Sequence, residues 1–445
     1  MILAIVFGCE DFVDVDPPQT GLVSETVFAD DINAESAVSG IYSRMVESTT
    51  GIFTGSQSIT VFSGRASDEL LNHSVIPQFI EFSNNDLVVD NGFNNSLWNQ
   101  LYQFIYSANS VLEGLESSNS VTDSLSIQWQ GEARFIRAWC YFYLVNLYGD
   151  VPLALTTDFE VNSSLPRTSS ELVYDLIVRD LLDAQEQLSE DYPTDQRIRP
   201  NRAVATALLA RVYLYRENWA EAEREATSLI EDGRYSLEPD LENVFLSSSD
   251  EAIWQLQSIV PGVGSVEAIT FVLLRTPREV SLNPDFVTTF EDSDIREDVW
   301  VGTLDSRGTL YYYPFKYKSR LADASNEYLT VFRLAEMYLI RAEARARQNN
   351  VISAQEDINV IRTRAQLPTT TASDQASLLA AIELERKHEL FAELGHRWFD
   401  LKREDRATEV LLPIKPLWES TDVLWPVPLN EFLNNPNLGE QNPGY

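Results

Sequence analysis

The sequence predicts a mainly α-helical, all-α protein in which tetratricopeptide-like helix pairs carry long loops and a few short strands. Three observations predict it. Apolar residues recur at helical spacing from Leu97 onward. Two helix-turn-helix segments match each other 132 positions apart. Strand-like runs are short, with none of the strand–helix alternation that a parallel sheet requires.

Taken in order, the chain opens on MILAIVFG, an apolar run of eight residues that ends at Cys9. Eight residues cannot span a bilayer, and no other stretch reaches the roughly 18 apolar residues of a membrane helix. Residues 1–8 read as the end of a secretory signal, and Val6-Phe7-Gly8-Cys9 as a lipoprotein processing site in which Cys9 is acylated. Residues 50–96 read as a long loop, with Asn-rich runs at Ser83–Asp86 and Asn91–Asn95. Leu97, Leu101, Phe104, Ala108, Leu112 and Leu115 then mark one buried helical face, and Phe135, Ala138, Phe142 and Val145 mark another. Trp139, Tyr141 and Tyr143 make this second helix apolar all round, so it is expected at the centre, with Cys140 as a buried thiol. Gly149-Asp150-Val151-Pro152 stops it.

The repeat follows. Ala203, Ala207, Ala210 and Leu214 correspond to Ala335, Leu339, Ala342 and Ala346. Ala222, Ala226 and Leu229 correspond to Ala354, Ile358 and Ile361, and Asn218 and Asn350 stand where each second helix would be capped. Small residues let paired helices approach closely, as in tetratricopeptide arrays. Between the two pairs, residues 234–330 form a loop-rich insertion with strand-like pieces at Ala252–Ser258 and Tyr311–Lys316; another such piece lies at Leu424–Val427. In Tyr311-Tyr312-Tyr313 alternate rings point inward if the run is a strand. The acidic run Glu291–Asp298 lacks the turn glycine and terminal glutamate of a calcium loop, and reads as solvated. Long loops inside a compact domain are where a ligand site is expected.

Composition narrows the function. The 445 residues carry 68 Asp+Glu against 33 Lys+Arg, a formal charge of −35. That argues against nucleic acid and against simple electrostatic association with anionic membranes, both of which need a basic footprint. Three His and two Cys leave little for a metal site, and His73, His388 and His396 read as structural. No phosphate-binding glycine loop, nucleophile elbow, His-Glu-x-x-His or Cys-x-x-Cys occurs, so no cofactor is expected. Glycoside hydrolysis needs two carboxylates at a fixed separation, and spacing isolates no such pair. Phe79, Phe82, Phe93 and Phe271 lie in polar, loop-like segments, where a ring can stack on a sugar face while Asn, Asp and Arg bond its hydroxyls.

Read together, ordered motifs along nearly the whole chain resemble the SusD/RagB family of outer-membrane nutrient-binding lipoproteins. They run from Cys9 and Asp14–Pro18 through Ala34–Tyr42, Trp98–Tyr102 with Ala108-Asn109, Gly131–Ala138 and Tyr148–Leu153. They continue in Arg333–Glu336, Ile361–Ala365, Glu385-Arg386, Arg397–Arg403, Pro426–Pro428 and Gln441–Tyr445. The resemblance implies a SusD-like α-α superhelix forming one domain over 9–445, with an N-terminal part to about 200 and a C-terminal part from 201. It also implies a lipid anchor in the outer membrane at Cys9, exposure at the cell surface and no catalysis. The partner it implies is a TonB-dependent SusC-like β-barrel, for which the protein captures oligosaccharide or peptide.

The segment Arg65–Glu69 matches a family position where ligand contacts occur, which makes Asp68 an expected hydroxyl acceptor and Arg65 a donor. Loop chemistry adds Phe79, Phe82, Asn84, Asn85, Phe271 and Arg275. Two other readings are a tetratricopeptide scaffold binding peptides on its concave face, and a secreted carbohydrate-active hydrolase. Arg134, Arg137 and Trp398 are expected to be scaffold residues.

Overall fold

A computed structural model of the protein describes residues 27–321 and 326–445; Cys9, the leading residues 1–8 and Asp14–Pro18 lie outside the described residues. Helix α1 (Asp31–Val46) starts on Asp30, whose carboxylate accepts the Asn33 N–H at 2.8 Å. Residues 50–96 are not one long loop. They hold α2 (Ile59–Ala66), strand β1 (Leu70–Asn72) and α3 (Pro77–Asn84). The residues that signal a loop in sequence are helix ends here. The Ser58 hydroxyl accepts from the Val61 N–H, Pro77 sits in the first turn of α3, and Asn85 closes α3 at φ 55°.

Two 26-residue helices follow, α4 (Gly92–Ser117) and α5 (Asp123–Tyr148). As its apolar circumference predicts, α5 is central: Trp139 stacks on Phe53 at 4.1 Å between centroids and meets Trp254 edge-on at 4.8 Å. Cys140 is buried and unpaired. Gly149, at φ 72°, ends the helix with its N–H on the Val145 carbonyl, a conformation that a side chain would strain. Helix α6 (Ser170–Gln187) packs on α5, where Arg137 holds Asp180 through two hydrogen bonds of 2.8 and 2.7 Å.

The repeat forms two matching hairpins, α7 (Arg202–Tyr215) with α8 (Trp219–Ile230), and later α9 (Leu334–Arg347) with α10 (Val351–Arg364). Asn218 and Asn350 do occupy the residue before each second helix, but neither side chain caps it. The turn is made one residue earlier. Glu217 and Asn349 adopt φ 58° and 62°, and the Asn218 and Asn350 N–H groups reach back to the carbonyls of Tyr213 and Arg345. This is a Schellman closure, which satisfies the last helical carbonyls and needs no side chain. Nearly every residue of α7 and α9 is buried, so these helices form core and not an open groove.

The insertion is more regular than its composition suggests. Strand β2 (Ala252–Leu256) pairs antiparallel with a later strand, Leu329–Arg333. Strands β3 (Val280–Leu282), β4 (Val301–Ser306) and β5 (Thr309–Pro314) join β1 in an antiparallel sheet of order β1-β3-β5-β4. Gly302 lies opposite Tyr313, and a Cβ there would meet the Tyr313 ring at 2.3 Å, so the ring covers bare backbone. Residues Leu424–Val427 form no strand. The main hydrophobic core runs from Phe28 to Val427 and takes in the first hairpin and one side of α9, while α10 packs on the other side of α9 in smaller clusters around Ile358 and Ile361.

The acidic run is solvated only in part, with Asp292 and Asp298 exposed. Asp294 is buried and holds Arg296 through bonds of 2.9 and 2.7 Å. Arg296 also reaches Glu385 and Glu389 on α11 (Gln375–Glu389), at 2.6 and 3.0 Å. Arg333 meets Glu251, Glu389 and Glu393 within 3 Å, and Arg364 adds pairs to Glu251 and Glu389. These charges tie the insertion to the second hairpin. Burial costs each of them several kcal/mol, on the order of what mutual attraction returns, so the network fixes geometry more than it adds stability.

Candidate functional site

Strand β1 pairs with β3 in the register Leu71↔Ser281 and Asn72↔Val280, and the His73 N–H extends the ladder to the Glu279 carbonyl at 2.8 Å. Leu70 and Leu282 face the core, so the two-residue period turns Leu71, His73 and Ser281 to the other side. On that side His73 Nε2 lies 2.8 Å from the Ser281 hydroxyl, and the half-buried Tyr311 ring of β5 meets the imidazole edge-on at 5.7 Å. Burial first, then the nearby Arg65 charge, lowers the His73 pKa, which keeps the ring neutral near pH 7.

Beside this patch opens a cleft of about 400 Å³ between Ile269 and Val280. Its lining combines apolar Ile269, Val272 and exposed Leu274 with Arg275, Arg278, Glu279 and Arg320. Arg320 is anchored by donating to the carbonyls of Ala268, Ile269 and Val272 at 3.0, 3.0 and 2.9 Å. The Thr276 hydroxyl lies 2.5 Å from that of Ser306, which joins the cleft loop to the β4–β5 hairpin. An open cleft lined by apolar side chains, exposed arginines and one carboxylate, with an aromatic ring and an imidazole on the neighbouring strands, suits an extended polar ligand.

The residues named from sequence divide sharply. Arg275 lines the cleft and is exposed. Asn84 is half-buried at the end of α3. The others are occupied elsewhere. Phe79 and Phe82 pack with Phe62 and Phe93, Phe62 stacking on Phe82 at 4.3 Å, and Phe271 is also core. They offer no ring face to a sugar, because each belongs to the apolar face of a short helix and not to a loop. Asn85 is buried as the left-handed residue that ends α3.

Asp68, expected as a hydroxyl acceptor, is committed to Arg397 at 2.7 and 3.0 Å and to Lys387 at 3.1 Å. Burial alone would raise its pKa, but Arg397 and Lys387 outweigh that and hold the carboxyl well below its usual range. Next to it, Glu69 is pushed up to about 7 by burial and by Asp68. Arg65 is fully buried beneath the cleft, with its guanidinium 3.9 Å over the Phe79 ring and Nη2 3.4 Å from the Glu279 carbonyl and carboxylate. Burial lowers its pKa to about 10 against the pull of Glu279, and Nε and Nη1 have no partner. Arg65 thus supports the cleft-lining Glu279.

Sequence reasoning missed His73, Arg278, Glu279 and Arg320. Only the tyrosine alternation signalled this face: Tyr312, opposite Leu282, lies on the core side, while Tyr311 and Tyr313 share the His73 side, where Tyr313 is buried over Gly302 and Tyr311 stays half-open. Of the scaffold expectations, Trp398 is fully buried and Arg137 nearly so, whereas Arg134 is half-exposed on Gln187 and Asp183.

The chain matches the family described as "Starch-binding associating with outer membrane" over residues 11–214, and the "SusD family" over residues 306–417. It is 26% identical to "SusD-like protein P25" of Formosa agariphila over 517 aligned positions, which cover 99% of this chain and 97% of that one. Among solved structures, a SusD superfamily protein from Bacteroides vulgatus superposes with a TM-score of 0.80 at 20% identity, covering 94% of this chain and 100% of that one. A "Laminarin binding SusD-like protein" gives a TM-score of 0.79 at 23% identity, over 94% and 100%. With the helical-hairpin fold and these two matches along its length, the chain belongs to the SusD/RagB family.

Proposed function

We propose that the protein captures oligosaccharide at the cell surface and hands it to a SusC-like TonB-dependent barrel in the outer membrane. In this reading acylated Cys9 holds it to the outer leaflet, and the −35 surface faces the medium. The observation that carries the proposal is the half-open Tyr311 ring set against neutral His73, whose backbone N–H bonds the carbonyl of cleft-lining Glu279. A sugar ring can lie on the tyrosine while its hydroxyls bond His73 and Glu279. The starch and laminarin named for the matched family and for one solved relative support a glycan over a peptide. Glu279 is the one carboxylate lining the cleft among the described residues, where hydrolysis would need two, which supports capture without turnover.

Binding of glycan oligomers by calorimetry tests the reading. Tyr311→Ala is expected to weaken binding about tenfold, the equivalent of about 1.4 kcal/mol, with unchanged melting temperature. Equal affinity in the variant would remove Tyr311 from the site. Failure of a large β-barrel to co-purify from outer membranes would remove the delivery step.

A further inference from the structure

Resting on the capture reading, we propose that the oligosaccharide this cleft takes is anionic, with carboxylate or sulfate groups bound by Arg275 and Arg278. Most cations of this acidic chain are committed to carboxylates: Arg137 to Asp180, Arg199 to Glu132, Arg211 to Glu336, Arg397 to Asp68. Arg275 and Arg278 are exposed and, among the described residues, have no ion-pair partner. Arg307 is a third such residue. It sits at φ 58° in the β4–β5 turn, next to Ser306, whose hydroxyl bonds Thr276 in the cleft loop. Arg320 is held by carbonyls among the described residues, and Arg65, bonded to cleft-lining Glu279, has two nitrogens without a partner there. Against these stands one lining carboxylate, Glu279, already shared with Arg65.

The other exposed cations without a carboxylate among the described residues, Arg44 and Arg179, lie on separate helices. In a molecule of formal charge −35, a local excess of guanidinium charge is unlike its surroundings. It attracts an anionic chain that the rest of the surface repels, and so selects where that chain binds. Guanidinium is also the group that meets carboxylate or sulfate oxygens in a bidentate fork, and at a neutral sugar that capacity would go unused.

Calorimetry with three probes of equal length separates the possibilities: a uronic-acid oligomer, its carboxyl-reduced neutral counterpart and a sulfated galactan oligomer. At least one charged probe is expected to bind tenfold or more tighter than the neutral one, and the pattern tells carboxylate from sulfate. Arg275→Ala combined with Arg278→Ala is expected to lower affinity for that probe by tenfold or more while leaving the melting temperature unchanged, since both residues are exposed. Equal or tighter binding of the neutral probe, or an unaltered charged-probe affinity in the double variant, overturns the inference and leaves glycan capture standing. If no probe binds, charged or neutral, both readings fall.

Discussion

The buried arginines Arg296, Arg333 and Arg386 and the arginines of the cleft loop carry the same side chain under opposite conditions. Arg296, Arg333 and Arg386 are buried, each within 3 Å of one or more carboxylates. Arg275 and Arg278 project from an exposed loop with no carboxylate partner among the described residues. In the first setting the guanidinium is fixed architecture, since removing it strands several buried anions. In the second it is available chemistry, and its removal leaves nothing stranded. A strongly acidic chain therefore keeps most of its positive charge inside ion pairs and leaves a small part where a ligand can use it.

The comparison breaks first at Arg333. Arg333→Met leaves Glu251, Glu389 and Glu393 with less countercharge, and a loss of about 3–5 kcal/mol is expected in urea unfolding; a loss under 1 kcal/mol would mean that the network relaxes freely. Arg211→Met should cost about 3 kcal/mol by isolating buried Glu336, to which Arg211 is held at 2.6 and 2.7 Å. Adding Glu336→Leu should restore most of that, because apolar packing then replaces the whole pair, and a purely additive double variant would contradict this.

Lys415 gives a smaller, pH-dependent effect. Its ammonium donates to the Arg65 and Ser83 carbonyls, and burial lowers its pKa to about 7 against the pull of Asp68. The unfolded chain, with an ordinary lysine pKa near 10.4, binds more protons than the folded one between about pH 7 and 10, so this group makes stability rise with pH there. Lys415→Met should flatten that rise by up to about 1.4 kcal/mol per pH unit, read from unfolding at pH 7 and 9. The smallest effect is expected at Asn218→Ala and Asn350→Ala, each within about 0.5 kcal/mol, since neither side chain caps its helix.

Much of the fold was legible because it follows period and small-residue spacing. Leu97–Leu115, the apolar belt of α5 and the 132-residue offset each became helices where read. The site was less legible because its residues come from segments too short to show a period. Strand β1 has three residues, and only pairing with a strand more than 200 positions away turns Leu71 and His73 outward. Phe79 and Phe82 misled for the converse reason: in α3, an eight-residue helix ringed by Asn and Ser, burial is decided by Phe62 and Phe93 from other elements. Charge partners are likewise invisible in sequence, so Asp68 read as a ligand group although Arg397, 329 positions later, already holds it.

The same long-distance stitching sets when the molecule can finish folding. The Leu394 N–H donates to Thr60, Lys415 holds the carbonyls of Arg65 and Ser83, and Asn442 accepts from Arg167 while its amide donates to the Tyr148 carbonyl. These contacts join early segments to late ones, so the early segments stay unclosed until residues near 440 have been synthesised. Such sequence separation slows folding. A chain cut before residue 440 would keep its helices and lose the clamp that joins its two ends.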